Sequence, residues 1–395
     1  MTMGIDESFD CTEQWVRNNS FPQINKTCFE EDMIGAHPAL INSNFTLATI
    51  YIGIMSVALL IGTFGNIMIL MVAGWARRLN KVGKEFMVNL ALADFCVSAI
   101  ADPMCIVGVV KGQHFFDGLP WLCQMIASMC LTACFCAFMS LTMLSVNRYV
   151  YLCHNSAYDR FFGRKTCIAL CIMCWIVAFL CESPNFFGWG GHYFDTKNHQ
   201  CIWDRTHSLS YTLFVAIVLI GSPLLLMTLC YILIFRRIWV TKKSLYDITA
   251  DNKSESMTKV MKETIRSAKT IFVVFVVFVV CWTPYAIVIA IDVGNKLSVE
   301  IHLFITLLAH LHSSMNFIIY LIFNNRFRFA LASIWGCKNA TSFESETKSS
   351  NFSDYSEAAN NGSGAHLRVP NSKKIFYTSS PTVSFYSKGN INVAS

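Results

Sequence analysis

Seven long apolar stretches constrain this chain before any motif is read. They fall near 47–74, 86–110, 121–152, 167–187, 209–235, 267–291 and 301–323. A helix of about 20 apolar residues crosses about 30 Å of hydrocarbon, and every stretch reaches that length. The reading is an all-α membrane protein, a seven-transmembrane helix bundle. Pro103, Pro184, Pro223 and Pro284 lie inside the spans. They are read as kinks, because neighbouring helices re-satisfy the freed backbone groups.

The charges agree. Only 14% of the 395 residues are charged and 54% are hydrophobic, whereas soluble domains average about 25% charged. The charges cluster between the spans. Arg77, Arg78, Lys81 and Lys84 follow span one; Arg160, Arg164 and Lys165 follow span three; Arg236, Arg237, Lys242, Lys243 and more follow span five. By the positive-inside rule these loops are cytoplasmic. The N-terminus is then extracellular and the chain a multi-pass protein of the plasma membrane. A net charge of +6 suits an anionic leaflet of the lipid bilayer rather than nucleic acid.

Residues 1–46 read as an extracellular, glycosylated N-terminus. They are acidic and lack the basic start and short apolar core of a cleaved signal, so span one is expected to direct insertion. Asn18, Asn25 and Asn44 head N-x-S/T sequons there. This topology puts four of the 17 cysteines outside: Cys11, Cys28, Cys123 and Cys201. Four cysteines can pair in three ways. A Cys123–Cys201 bond would pin the loop before span five over the bundle mouth. Residues 47–323 form the bundle. Residues 324–337 read as a basic amphipathic helix on the membrane surface, with Cys337 as a palmitoylation candidate. Residues 338–395 are polar and read as a disordered cytoplasmic tail.

Polar and aromatic residues inside the spans form a constellation. Gly65-Asn66 sits in span one, Asp94 in span two, Asn147-Arg148-Tyr149 ends span three, and Trp175 sits in span four. Pro223 and Tyr231 lie in span five, Phe278 to Pro284 (FVVCWTP) in span six, and Asn316 to Tyr320 (NFIIY) in span seven. Singly each is an ordinary packing residue; the order along the spans carries the signal. An arginine at the end of an apolar helix needs a partner or a task, since one at a helix centre costs about 2.5–3.5 kcal/mol on insertion scales.

The constellation resembles the rhodopsin-like class of G-protein-coupled receptors over residues of roughly 45–337. That resemblance implies a receptor that binds a small extracellular ligand and activates a heterotrimeric G protein. It implies that Arg148 is the switch residue, with Asn147, Tyr149, Tyr231, Pro284, Asn316 and Tyr320 serving activation and coupling. Receptor kinases and arrestin would act at the tail, where Ser342, Ser345, Thr347, Ser349, Ser350, Ser353 and Ser356 alternate with acids. Within the class, the melatonin receptors also read N-R-Y and also replace the proline of the last motif, here Phe317. The YLCH at 151–154, Tyr158-Asp159 and Pro184-Asn185 look like theirs. That kinship favours an inhibitory G protein.

The departures bear on mechanism and ligand. Asn147 stands where the class usually has an acid, so Arg148 lacks its usual ion pair. Phe317 in place of proline predicts a weaker kink in span seven. Where melatonin receptors carry a His and a Gln, this chain has Leu219 and Arg205. An opsin's Schiff-base lysine is replaced by His310, and an amine receptor's aspartate by Cys130. The expected ligand-binding set is Met129, Cys130, Ala133, Asn185, Trp203, Trp282, Tyr285 and His310, suited to a small neutral or lipophilic ligand. No resident cofactor is expected. Asp94, Ser313 and Asn316 offer a sodium pocket, although Ala137 and His312 replace two usual donors.

A transporter or channel is the alternative. No internal repeat is visible, and buried charge is expected to be nearly confined to Asp94. HExxH, GxSxG and phosphate-loop motifs are absent, so no enzyme is expected.

Overall fold

The structure is a computed structural model that describes residues 38–75, 83–249, 255–292 and 294–335. Asn18, Asn25, Cys337 and the tail sites lie outside the described residues. The long helices are α1 (Phe45–Trp75), α2 (Lys84–Lys111), α3 (Pro120–Cys153), α4 (Arg164–Phe186), α5 (Leu209–Thr241) and α6 (Glu255–Ile291). Each contains a stretch long and apolar enough to cross a membrane. The seventh crossing, α7, is a bent pair, Val299–His310 and His312–Phe323, meeting at 44°. The short α8 (Asn325–Ile334) follows.

The most buried of these is α3, and polar groups tie it to its neighbours. Trp175 Nε1 of α4 donates to Asn89 Oδ1 of α2 at 2.9 Å. Asn89 Nδ2 in turn donates to Ser140 Oγ of α3 at 2.7 Å. Three helices are thus fixed in rotation by one amide, in surroundings where apolar contacts are nearly degenerate. Asn66 of α1 donates to the Ser313 carbonyl of α7 at 2.9 Å.

The bend in α7 corrects the expectation of a straighter last helix. Proline is not its cause; side chains are. His312 Nδ1 bonds the Ala309 carbonyl, Ser313 Oγ donates to the His310 carbonyl at 3.0 Å, and Ser314 Oγ to the Leu311 carbonyl at 2.9 Å. Side chains that satisfy backbone carbonyls release the regular ladder and let the axis turn. Two π-helical segments, Val97–Ala101 in α2 and Val215–Gly221 in α5, precede Pro103 and Pro223.

At the inner end, α8 is capped and anchored. Asn324 accepts from the Phe327 amide at 3.1 Å. Phe327 is buried against Phe317 and Tyr320 of α7. Arg328 donates to the Leu321 and Ile322 carbonyls that end α7. A cation on the last carbonyls of a helix is favourable for charge and for pairing.

The outer end is roofed by a hairpin, β1 (His192–Asp195) and β2 (Gln200–Trp203), paired antiparallel. Cys201 of β2 is bonded to Cys123 of α3. The hairpin turn presses on α2. A Cβ at Gly108 would lie 2.1 Å from the His199 carbonyl oxygen, so this position needs glycine. Gly108→Ala must lift the turn or shift α2, and such overpacking costs about 1–3 kcal/mol. The expected result is a lower thermal midpoint for the purified protein, by a larger margin than Gly53→Ala, where nothing lies within 4 Å of the added atom. Equal midpoints for the two variants would show that the roof does not bear on α2.

Candidate functional site

Beneath the hairpin lies a cavity of about 40 Å³. Its roof is Gln200 to Trp203, its floor Trp282, and α2, α3, α5 and α7 supply the walls. Of the expected ligand set, Cys130, Trp203, Trp282, Tyr285 and His310 line it. Met129, Ala133 and Asn185 do not. On α3 the lining residues are Ile126, Cys130 and Cys134 with Ala127 and Leu131, a single helical face. Met129 and Ala133 sit one residue off that face. Asn185 is committed elsewhere: its amide donates to Tyr211 OH at 2.8 Å, and the Gly190 backbone closes over its carbonyl oxygen.

The walls are mostly apolar and aromatic, with a polar anchor that the sequence reading missed. Asp102 is fully buried, and its Oδ1 lies 2.7 Å from His310 Nδ1. The π-segment just before Asp102 turns this part of α2 into the bundle. Buried charge is therefore not confined to Asp94. Asp102, Arg148, Glu182, Asp195, Arg205 and Asp292 are also buried. The signal available in the sequence was the pairing of an intraspan acid with an intraspan histidine, His310.

The floor is an aromatic cluster. Trp282 meets Phe138 edge-on at 4.9 Å between ring centroids and His312 at 5.3 Å; Phe278 meets His312 at 5.0 Å. His312 reaches on to Asp94, with Nε2 3.5 Å from Oδ1. Asn316 donates to the other carboxylate oxygen.

Around Asp94, one carboxylate oxygen accepts from Asn316 and the other, Oδ1, is buried without a hydrogen-bond partner. Asn316 presents an amino group, Ser313 turns its hydroxyl proton to its own helix, and His312 occupies the side of the free carboxylate oxygen. His312 Nδ1 is already spent on a carbonyl.

At the inner end, Arg148 is buried, and among the described residues no carboxylate pairs with it. Tyr158, Tyr231, Tyr151 and Tyr320 are near enough to act on it electrostatically. Asn147 is turned away from Arg148. Its amide donates to Tyr158 OH at 3.2 Å, and its carbonyl oxygen packs on Gly83. Gly83 starts α2 in a left-handed conformation, with φ 74°. Tyr231 stacks on Phe275 of α6 and meets Phe272 edge-on. Tyr149 lies further out and bonds His154 at 3.1 Å.

The roof is stapled to the loop between α6 and α7. Arg205 donates to the Asp292 carbonyl and to Asn295, with its carboxylate contact to Asp292 at 3.5 Å. Lys197 donates to the Asn295 and Leu297 carbonyls. Thr306 of α7 donates to Asn198 at 2.6 Å, and Trp203 Nε1 to Tyr285 OH at 3.0 Å.

Residues 65–320 match the family model described as "7 transmembrane receptor (rhodopsin family)". The chain is similar to the human melatonin receptor type 1B, 30% identical over 287 residues that cover 70% of this chain and 75% of that one. It is similar to melatonin receptor type 1B-B of Danio rerio, 29% identical over 68% of this chain and 76% of the relative. The crystal structure of squid rhodopsin shares the fold with a TM-score of 0.63 at 19% identity, covering 75% of this chain and 91% of that one.

The staple is sensitive to acid. Burial alone would raise the Asp292 carboxyl. Donation from the Lys296 amide, His302 and the Leu297 amide, with the Arg205 charge, outweighs it and holds the group below the usual carboxylate range. A depressed carboxyl contributes stability that is complete above its unfolded value, about 3.9, and is lost as pH falls through the folded value. Amide exchange at Lys296 and Leu297 should stay slow at neutral pH and accelerate below about pH 4. Asp292→Asn should exchange faster at neutral pH and lose the acid step. An acid step that survives in the variant would assign it to another group.

Proposed function

The chain belongs to the rhodopsin family of seven-transmembrane receptors, and on that premise we propose that it is a ligand-gated activator of a heterotrimeric G protein, related to the melatonin receptors. The carrying observation is a roofed, largely apolar cavity with an aromatic floor, above a buried arginine that pairs with no carboxylate among the described residues. In this reading the protein spans the plasma membrane with its N-terminus outside. Its inner face meets an inhibitory-class G protein, and its tail meets receptor kinases and arrestin.

The ligand is small, uncharged and lipophilic. Two relatives are named for melatonin, but three features of this chain support a different ligand. Leu219 is a buried apolar residue where those receptors offer histidine. Arg205 is spent on the roof. Asn185 is spent on Tyr211.

Activation follows from differential affinity, since a ligand shifts an equilibrium only by what it gains in one state over the other. A ligand over Trp282 acts on α6 at Pro284, where the missing backbone bond permits a pivot. The inner end of α6 then leaves Tyr231, and Arg148 becomes available to the G protein. The off state lacks a charge-assisted pair, which would be worth about twice a neutral hydrogen bond. Ligand-free activity is therefore appreciable.

Two substitutions test this in a nucleotide-exchange assay at matched surface expression. Arg148→Ala should abolish coupling while leaving surface expression intact. Asn147→Asp, whose carboxylate has to turn from Tyr158 to reach Arg148, should lower ligand-free exchange by up to about tenfold for about 1.4 kcal/mol of added restraint. Normal signalling by Arg148→Ala would remove the switch role. Unchanged basal exchange in Asn147→Asp would remove only the weak-restraint argument.

A further inference from the structure

Three free cysteines line the cavity: Cys105 on α2, and Cys130 and Cys134 on α3. They share one space, but their neighbours differ. Cys130 and His310 line the same cavity and lie near enough to interact. His310 Nδ1 is held at 2.7 Å by Asp102, and both side chains are almost wholly buried. A carboxylate on Nδ1 fixes the ring and its tautomer, and leaves Nε2 as the base that faces the thiol. A nucleophile in contact with a base, itself oriented by a third group, is the arrangement that activates weak nucleophiles. Cys134, one turn along α3, lies near enough to interact with Cys130, and its S–H could donate to a thiolate there.

The cavity shows two further signs of an occupant. Trp282 Nε1 and Gln200 Oε1 are buried without a partner, and both residues line the space. One is a donor and the other an acceptor. Buried polar groups are normally paired, so these two mark places for a ligand's own polar atoms.

We propose that Cys130 is a nucleophile and that the cavity is a covalent site for a small, lipophilic α,β-unsaturated carbonyl compound. The inference rests on reading the cavity as the ligand site. Cys130 passes its proton to His310 Nε2, and Asp102 balances the imidazolium. The sulfur lone pair forms a C–S bond at the β-carbon, while the C=C π pair moves toward the carbonyl as an enolate. His310 returns the proton to the α-carbon. The thiol has then added across the double bond, with no leaving group and no oxidant or reductant. Trp282 Nε1 is the unpaired donor on hand for the carbonyl oxygen, where charge develops. The apolar walls reject charged electrophiles, and Cys105 and Cys134 lack the histidine.

The test uses the full-length purified receptor and methyl vinyl ketone, with adduct formation at each cysteine followed in time by peptide mass spectrometry. Cys130 should react at least about tenfold faster than Cys105 and Cys134, because the thiolate rather than the thiol attacks. Since all three share the cavity, the ratio reports activation and not access. His310→Gln, and independently the shape-preserving Asp102→Asn, should bring the Cys130 rate down to that of its neighbours. Equal rates in the unaltered receptor overturn the proposal, as does a fast Cys130 that ignores both substitutions. Labelling is read without a G protein, so a failure of coupling in the Arg148 experiment is a separate result.

Discussion

An unpaired peptide group in hydrocarbon costs several kcal/mol, and the whole structure is organised by how that cost is avoided. Regular helix avoids it everywhere except at a few breaks, and those breaks are where the protein acts. The π-segment Val97–Ala101 precedes Pro103, where one backbone donor is missing, and the residue between them is Asp102. The π-segment Val215–Gly221 precedes Pro223 and contributes Val215 and Ile220 to the cavity wall. The bend at Leu311 separates His310, in the cavity, from His312, on Asp94. In each case the side chains or turns that repair the backbone also aim the functional groups.

The seven spans, the family constellation and the bonded cysteines were legible because length, charge asymmetry and fixed spacing are one-dimensional signals. Glycine at 108 and the loop-to-loop staple were not, because they depend on which loop lands on which helix. Asp102 was missed for a rotational reason. An ideal helix advances about 100° per residue, and the extra residue of a π-turn swings everything beyond it by that amount. The same one-residue margin separates Met129 and Ala133 from Cys130 and Cys134. The bend in α7 was misjudged because proline is a conspicuous cause of kinks, whereas serine and histidine side chains bonding their own helix are only seen in three dimensions.

The contacts from cavity to inner face form one connected series. His310 and His312 flank the same bend. His312 touches Trp282 and Phe278 of the floor and also Asp94. Asn316, on the same short helix, holds Asp94, and Tyr320, one turn on, stands beside Arg148. Adjacency alone does not prove coupling; a two-state element that both ends bias is required. On the proposed function, the bend is the candidate. It is held by side-chain bonds to carbonyls, which can be exchanged for backbone bonds at little net cost. A change of its angle moves His310 at one end and Tyr320 at the other.

That no carboxylate pairs with Arg148 among the described residues then has a structural meaning. A single salt bridge would make the off state depend on one local contact. Here tyrosines from α5, α7, α3 and the inner loop are near enough to act on the guanidinium electrostatically, and Asn147 is spent on one of them. Each neutral contact is weak. Their sum depends on three helices and a loop staying in register. Disturbing α6 removes the support of Tyr231, which packs on Phe272 and Phe275. Disturbing the α7 bend displaces Tyr320. On the proposed function, the restraint on Arg148 is distributed over elements that the cavity touches, so a ligand in the cavity would release it without acting on the arginine directly.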